Sequence, residues 1–246
     1  MKPDPTRTPG VRAFRLEPPA PGPPVLHAFS TRRGGLAPAA GGTPGWAAFL
    51  RAGCFPPSFP LREVQQVHGA GVHVLTGLIS PATLPLADAV VSSLPSVVLG
   101  LRTADCAAVL LADPRARVVG AAHAGWRGLL SGVIDNTVGA MMTLGAAPGG
   151  LRVGIGPSIG SCCFRVGPEV ADRFAALDRD LVRQQGRGLH VDLPAAVERC
   201  LRRCGVPLSA VRRCPLCTCC RRDLFFSHRG DQGCAGRLLA AVALCP

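Results

Sequence analysis

Three buried strands are predicted in the centre of the chain, where apolar runs alternate with short polar turns. The stretch from Val97 to Gly128 reads VVLGLRTADCAAVLLADPRARVVGAAHAGWRG, with a TADC turn and a DPR turn between its apolar runs. Runs of five or six Val, Leu and Ala residues are typical of strands that are buried on both faces. The pattern places Cys106 in the first turn and His123 where the last run stops, which are positions where α/β proteins carry reactive groups.

Helical patterns follow these strands. From Leu129 apolar pairs recur at helical spacing until Gly145, so His123 lies just before a predicted helix. The free backbone N–H groups at the N-terminus of this helix would favour a phosphate or an oxyanion. Arg102 and Arg127 could donate further hydrogen bonds to that anion. Further helices are predicted over WAAFLRAG, over a Pro-started segment that carries Glu169, and from near Asp192 to Gly205 with Cys200 and Cys204 on its apolar side.

Other segments predict further strands and loops. LREVQQVHGAGVHVL indicates two strands with a turn at His68, and DAVVSSL indicates a strand that begins at Asp88. His68 therefore repeats the strand-end placement of Cys106 and His123. The final stretch, DLFFSHRGDQGCAGRLLAAVAL, predicts a strand, a polar loop and a closing helix.

Composition indicates a globular protein with one main domain. The 246 residues are 48% hydrophobic and 17% charged. We predict a single catalytic domain over residues 25–246, preceded by a Pro-rich, poorly ordered segment over residues 1–24. No apolar stretch reaches transmembrane length and the N-terminus lacks the apolar core of a signal peptide, so we expect a cytoplasmic protein without membrane contact.

The 12 cysteines are expected to be reduced thiols in that compartment. Four of them crowd into CPLCTCC, which contains a CxxC pair. A structural zinc site needs four ligands, and no second pair lies at finger spacing. We therefore expect that Cys214, Cys217, Cys219 and Cys220 form no second metal site essential to the fold, and the alternative stays open.

The net charge of +12 does not by itself indicate a nucleic-acid partner. Among 27 basic residues only Lys2 is a lysine, a skew that favours base-composition bias in the genome. A denser arginine group near the C-terminal end lacks interleaved aromatic residues, and the chain has no tyrosine. We expect a solvated basic face and no bound nucleic acid.

The motifs QVHG, RTADC, HAGWRG, GIGPSIGSCCFRVGPEV, LCT and DLFFSHRGD, in this order, resemble the YfiH family of laccase-domain proteins over about Val25 to Leu244. The resemblance implies an α/β (α+β) fold of mixed β-sheets with outer helices, the layered sandwich shared by YfiH proteins and cytotoxic necrotizing factor. It also implies a zinc ion bound by His68, Cys106 and His123. Two imidazoles and one thiolate leave a fourth position open, as in catalytic zinc sites.

The resemblance further implies an enzyme with purine nucleoside phosphorylase, adenosine deaminase and methylthioadenosine phosphorylase activities. Its partners would be purine nucleosides and phosphate. We assign His68, Cys106, His123 and Asp105 to catalysis, with Asp105 as an acid/base or a turn-capping carboxylate. Arg32, Arg102, Arg127 and Arg229 are assigned to substrate or phosphate binding.

Two other enzyme functions stay open. One is a hydrolase that edits peptidoglycan precursors, and the other is the copper-dependent polyphenol oxidase of older family descriptions, with copper in place of zinc. Six dispersed histidines without an HxH pair argue against a multicopper site. A non-enzymatic zinc or nucleic-acid module is a weaker alternative.

Two departures from the family pattern bear on substrate range. The segment after the STRRGG motif is shortened to LAPAAGGTPGWAAFLRAG, which changes one expected wall of the substrate pocket. Many relatives carry SxRRDG near the C-terminus, whereas this chain has Gly230 in place of one arginine. The sequence does not indicate the preferred nucleoside or the oligomeric state.

Overall fold

The computed structural model describes residues 13–14, 25–34, 43–77 and 83–246. The strands are β1 Ala13–Phe14, β2 Val25–Ser30, β3 Leu61–Arg62, β4 Val72–Leu75, β5 Ala89–Ser92, β6 Val98–Thr103, β7 Ala107–Asp113, β8 Val118–Ala124, β9 Arg152–Ile155, β10 Arg165–Val166, β11 Val182–Gln185, β12 Gly188–Val191, β13 Val211–Arg213 and β14 Leu238–Leu244. The helices are α1 Thr43–Ala52, α2 Trp126–Leu130, α3 Val133–Thr143, α4 Pro168–Leu177 and α5 Leu193–Arg203.

Two mixed sheets pack face to face and are covered by helices on their outer faces. One has the order β1-β2-β14-β6-β3 and the other the order β13-β9-β7-β8-β5-β4, beside a small β10-β12-β11 sheet. Side chains such as Leu101 of β6, Leu110 of β7 and Val242 of β14 form a shared core between the large sheets. Helix α1 packs on the first sheet, and α2 and α3 pack on the second. Helix α4 packs on the small sheet, and α5 packs on α2 and α3. The predicted mixed-sheet fold with outer helices is confirmed.

The central apolar runs form the expected strands. They are β6, β7 and β8, and every residue of β7 and β8 is buried. In the antiparallel β7–β8 pair, Ala108 lies opposite His123. Because Cys106 directly precedes β7, this register brings the TADC turn and the end of β8 to the same edge of the sheet.

The predicted closing helix is wrong, because Leu238–Leu244 is a strand. It lies between β2 and β6, and all seven of its residues are buried. The segment DLFF, which was expected as a strand, forms turns instead. A seven-residue apolar run has no polar face from which helix and strand periodicity could be distinguished, and its length is that of a strand.

The helix expected after His123 is divided in two. Helix α2 has only five residues, and α3 begins after Gly132, whose φ of 92° lies in the left-handed region. A residue in this conformation ends a helical run, and glycine adopts it without steric cost. The predicted end is confirmed, since α3 stops at Thr143 and Gly145 follows with positive φ.

The other helices agree with their sequence signals. The side chain of Asp192 caps α5 by accepting a hydrogen bond from the N–H of Ala195, and α4 begins with Pro168. Among the residues that the structure describes, no helix is long and apolar enough to span a membrane. The predicted N-terminal segment, residues 1–24, lies outside the described residues except for Ala13–Phe14, which pair with β2.

Candidate metal centre

Three side chains from distant parts of the chain converge at one edge of the second large sheet. His68 lies in the loop before β4, Cys106 in the β6–β7 turn and His123 in β8. Their ligand atoms all lie within 4.8 Å of one another, and the two imidazole rings meet edge to face at 4.8 Å. We call this group the three-ligand centre. All three residues that the family resemblance implied as ligands are therefore brought together.

Asp88 holds two of the three ligands in place. Its Oδ1 atom accepts a hydrogen bond from His123 Nδ1 at 2.8 Å and another from the backbone N–H of His68 at 2.9 Å. Its Oδ2 accepts from the N–H groups of Val67 and Gly69. With Nδ1 occupied, Nε2 of His123 is the nitrogen that is free to bind a metal, an orientation that metal-binding histidines commonly receive from a carboxylate.

These contacts change the ionisation of the centre. Burial acts to raise the pKa of Asp88, but hydrogen bonds from His123 and Gly69 lower it below its usual range. Burial also acts to raise the pKa of Cys106 and to lower the pKa of His123, but other contacts outweigh it. Contacts with His123 and His68 bring the pKa of Cys106 down to about 7, and contacts with Asp88 and Cys106 raise the pKa of His123 to about 9. The centre thus favours a thiolate at Cys106, which is the form that binds a cation.

The first glycine of HAGWRG provides the space that the ligands need. A Cβ atom on Gly125 would lie 3.0 Å from Cys106 Sγ and 3.2 Å from His68 Cδ2. The second, Gly128, lies against the backbone of the His68 loop, where a Cβ would be 2.5 Å from the carbonyl oxygen of Gly69. Both positions therefore require glycine because another part of the centre approaches them closely.

The donor set fits a zinc ion with a free coordination position. Two imidazoles and one thiolate are ligands that zinc prefers, and His68 is exposed whereas His123 is buried. Solvent therefore reaches the centre from the side of His68. An open site with three protein ligands is typical of catalytic zinc, since a structural ion is usually enclosed by four.

Asp105, the predicted acid/base, is anchored by other groups. Its Oδ1 accepts a hydrogen bond from Thr218 Oγ1 at 2.6 Å, and its Oδ2 accepts from the backbone N–H of Arg229 at 2.7 Å. The residue is buried and has a φ of 81°. Asp105 thus ties the turn that carries Cys106 to the C-terminal loop.

The four predicted anion-binding arginines differ in their partners. Arg102 forms a bidentate ion pair with Glu63, with distances of 2.7 and 2.9 Å. Arg32 pairs with Asp231 at 2.7 Å. The guanidinium of Arg229 donates to the backbone carbonyl oxygen of Arg165.

Arg127 has a different environment. Its exposed guanidinium lies 4.4 Å from the ring centre of Trp126. Arg127 lies two residues after Gly125 in the chain, and Gly125 borders the three-ligand centre. Of the four arginines, it is the one for which the described residues show no carboxylate or carbonyl partner. It is therefore the most available of them to a ligand.

At Gly230, where the family pattern predicts an arginine, the neighbouring Arg222 fills the space. A Cβ atom on Gly230 would lie 2.6 Å from Arg222 Cδ, and Arg222 Nη1 donates to the Gly230 carbonyl oxygen at 2.8 Å. The other departure, the shortened segment after STRRGG, falls partly on residues 35–42, which lie outside the described residues.

Comparison with known proteins agrees with the motifs and the fold. Residues 47–245 match the family described as Multi-copper polyphenol oxidoreductase laccase. The chain belongs to this family. The YfiH-type resemblance is thereby confirmed, and the solved structure of YlmD from Geobacillus stearothermophilus superimposes with a TM-score of 0.80 at 28% identity, covering 94% of this chain and 99% of YlmD.

Relatives in this laccase family carry the names of purine nucleoside enzymes. The chain is 40% identical over 160 residues to a protein of Deinococcus radiodurans named purine nucleoside phosphorylase, covering 64% of this chain and 61% of that protein. It is 37% identical over 153 residues to "Adenosine deaminase RL5" of an unknown prokaryotic organism, covering 60% and 58% of the two chains. Both matches thus span less than two thirds of the relatives' own length.

Sequence reasoning gave no role to Asp88, Thr218 or Gly125 at this site. An aspartate directly before the apolar run AVVS was a usable signal, because a buried carboxylate there must find hydrogen-bond donors. No local pattern could show that its donors come from His123 and the His68 loop.

Proposed function

We propose that this chain is a zinc-dependent purine nucleoside enzyme. It would cleave inosine, guanosine, adenosine and methylthioadenosine with phosphate and would also remove the amino group of adenosine. The observation that supports this proposal most strongly is the three-ligand centre itself. It joins a cysteine to two histidines that are both hydrogen-bonded to Asp88, and it is exposed on the side of His68. The names of the relatives support the substrate class.

In phosphorolysis, a phosphate oxygen forms a bond to ribose C1′ while the bond from C1′ to the purine nitrogen breaks. The base leaves with a proton, and the other product is ribose 1-phosphate. A zinc ion held by His68, Cys106 and His123 would supply a Lewis acid and lower the pKa of a bound water. The protein contributes the orientation of these side chains. Asp88 fixes the His123 ring by a hydrogen bond to Nδ1 and holds the His68 loop by a hydrogen bond to the backbone.

Phosphate binding is proposed at Arg127. An exposed guanidinium stacked on Trp126 has a defined position and keeps its N–H donors available for phosphate oxygens. Helix α2 adds little, because five residues give only a small dipole. Arg32, Arg102 and Arg229 would first have to leave their present partners, so in this proposal they shape the walls of the site.

In deamination, water adds to C6 of adenosine and ammonia leaves, which yields inosine. Asp105 enters the proposal as a positioning residue, since both its oxygens already accept hydrogen bonds. Its predicted part in proton transfer stays a prediction.

The test is product analysis by chromatography with inosine and with adenosine, each with and without phosphate, together with analysis of the bound metal. We expect inosine cleavage to require phosphate and to yield hypoxanthine and ribose 1-phosphate, while adenosine deamination needs no phosphate. Phosphate-independent release of hypoxanthine would indicate a hydrolase. Copper in the active protein with oxidation of a phenol would indicate the oxidase alternative.

Two variants separate phosphate binding by Arg127 from the role of the three-ligand centre. Arg127→Ala should raise the KM for phosphate about 10-fold or more, the loss of one charge-assisted contact, while deamination continues. Arg115→Ala is the matched control, because Arg115 is exposed at the opposite end of the β7–β8 pair. His123→Ala should abolish both reactions. Equal loss of both reactions in Arg127→Ala would remove Arg127 from the phosphate site.

A further inference from the structure

Two sequence segments that the three-ligand centre does not use bring four thiols together. They are Cys162 and Cys163 in the loop after β9, and Cys217 and Cys220 of CPLCTCC, here called the four-cysteine cluster. The expectation of no second metal site assumed that CPLCTCC has no partner pair. That premise is wrong, because the adjacent cysteines of the GSCCF motif supply the pair.

The four sulfur atoms are arranged as one ion would require. All lie within 4.8 Å of one another, with Sγ–Sγ distances of 3.4 Å from Cys162 to Cys220 and 3.3 Å from Cys163 to Cys220. Four sulfurs at about 2.3 Å from a central zinc would be separated by about 3.8 Å in a tetrahedron. The observed cluster is therefore close to the size of a single tetrahedral thiolate site.

A backbone N–H group points at the cluster in the way that stabilises a thiolate. The N–H of Gly160 donates to Cys217 Sγ at 3.2 Å. This hydrogen bond links the loop after β9 to the turn that carries Cys217.

From this geometry we propose that the four-cysteine cluster binds one zinc ion in a closed, structural site. Four thiolates leave no position for water or substrate, which distinguishes the cluster from the three-ligand centre. The ion would join the loop after β9 to the C-terminal segment. It would add to contacts that include the bridge between Ser158 and Cys217 and the hydrogen bonds from Thr218 N to Ser158 O and from Gly160 N to Cys217 Sγ.

The position of this ion links it to the first centre. Thr218 follows Cys217 in the chain, and its hydroxyl donates a hydrogen bond to Asp105, the residue before Cys106. Two hydrogen bonds to Asp105 thus connect the segments that carry ligands of the two centres. One comes from the Thr218 hydroxyl, and the other runs from the backbone N–H of Ile159, in the loop after β9, to the Asp105 carbonyl oxygen. Loss of the structural ion should therefore loosen the turn at Cys106 without removing any of its ligands.

The test measures zinc in variants that lack the first centre. Purified Cys106→Ala protein should retain one zinc per chain, and Cys106→Ala/Cys217→Ser should retain none. Cys106→Ala/Cys234→Ala is the control, because Cys234 is exposed and belongs to neither group. Zinc-free Cys106→Ala protein, prepared and assayed under reducing conditions, would overturn the proposal.

Cobalt substitution keeps the test decisive if Cys217→Ser fails to fold. Cobalt(II) added to metal-free Cys106→Ala protein should give the sulfur-to-metal charge-transfer bands and intense visible bands of a tetrahedral thiolate complex. Weak bands of an octahedral ion would contradict the proposal. So would a count of free thiols, taken after denaturation without reductant, that falls short by two and thereby shows a disulfide in the cluster.

Discussion

The two groups of metal-binding side chains differ in how the chain assembles them. The three-ligand centre takes single residues from the His68 loop, the β6–β7 turn and β8. The buried Asp88, directly before β5, accepts hydrogen bonds from the two histidines. The four-cysteine cluster takes two pairs from two loops, and among the described residues no carboxylate supports it in this way. A site at the edge of a sheet with one open position is suited to chemistry, whereas a site of paired loop cysteines is suited to holding segments together.

The largest expected effect is the loss of inosine phosphorolysis and adenosine deamination in Cys106→Ala. Removing the thiolate should abolish zinc binding at the three-ligand centre and reduce turnover about a thousand-fold or more, because a bound metal supplies several kcal/mol of transition-state stabilisation. Circular dichroism should show the parent fold. Steady-state rates and zinc content, measured beside Cys234→Ala, check this. A Cys106→Ala protein with parent activity would refute the catalytic assignment.

Asp88→Asn should weaken zinc binding without removing a ligand. The amide cannot accept all the hydrogen bonds that the carboxylate receives from His123 and the loop N–H groups, so the ligands lose their fixed orientation. We expect about a 10- to 100-fold loss of affinity, as is usual for such supporting groups. Competition with a chromophoric chelator measures it. Unchanged affinity would show that the ligands are held by other contacts.

Gly125→Ala tests the close approach at the centre. The added methyl would press on Cys106 and His68, so zinc affinity should fall by about 10-fold, a cost of about 1.4 kcal/mol. Gly139→Ala is the matched control, because its Cβ would meet nothing within 4 Å inside helix α3. That variant should be more stable by about 0.5–1 kcal/mol in thermal unfolding. Equal zinc affinity in both variants would contradict the steric account.

The smallest expected effect is a change with pH in the number of protons that the protein releases when zinc binds. In metal-free protein at pH 8, His123 with a pKa of about 9 keeps its proton and Cys106 with a pKa of about 7 has lost its own. Zinc should therefore release roughly one proton from this pair at pH 8 and roughly two at pH 6, and bind more weakly as the pH falls. Calorimetry of the Cys217→Ser protein in buffers of different ionisation enthalpy measures this. Equal release at both pH values would contradict the shifts.

The central strands and the site edge could be predicted because their signals are local. The apolar runs around Cys106 and His123 fix three strands, and the capping Asp192 and the terminal Gly205 fix α5. The final strand could not be predicted, because Leu238–Leu244 is apolar on every face and its state is decided by its neighbours β2 and β6.

The long-range contacts of both centres could not be predicted from local sequence patterns. The buried partner of His123 is 35 residues away in Asp88, and the thiols of Cys163 and Cys220 are 57 residues apart. Spacing rules for metal sites look for two close pairs at short separation. They therefore did not connect CPLCTCC with the adjacent cysteines of GSCCF.

X-ray absorption at the zinc edge, on two single variants, tests the division between the centres most directly. For Cys217→Ser, in which only the three-ligand centre is intact, the account predicts a zinc ion with about one sulfur and three nitrogen or oxygen neighbours. For Cys106→Ala it predicts about four sulfur neighbours. The same sulfur-rich environment in both variants, or zinc that is absent from Cys217→Ser, would contradict the account.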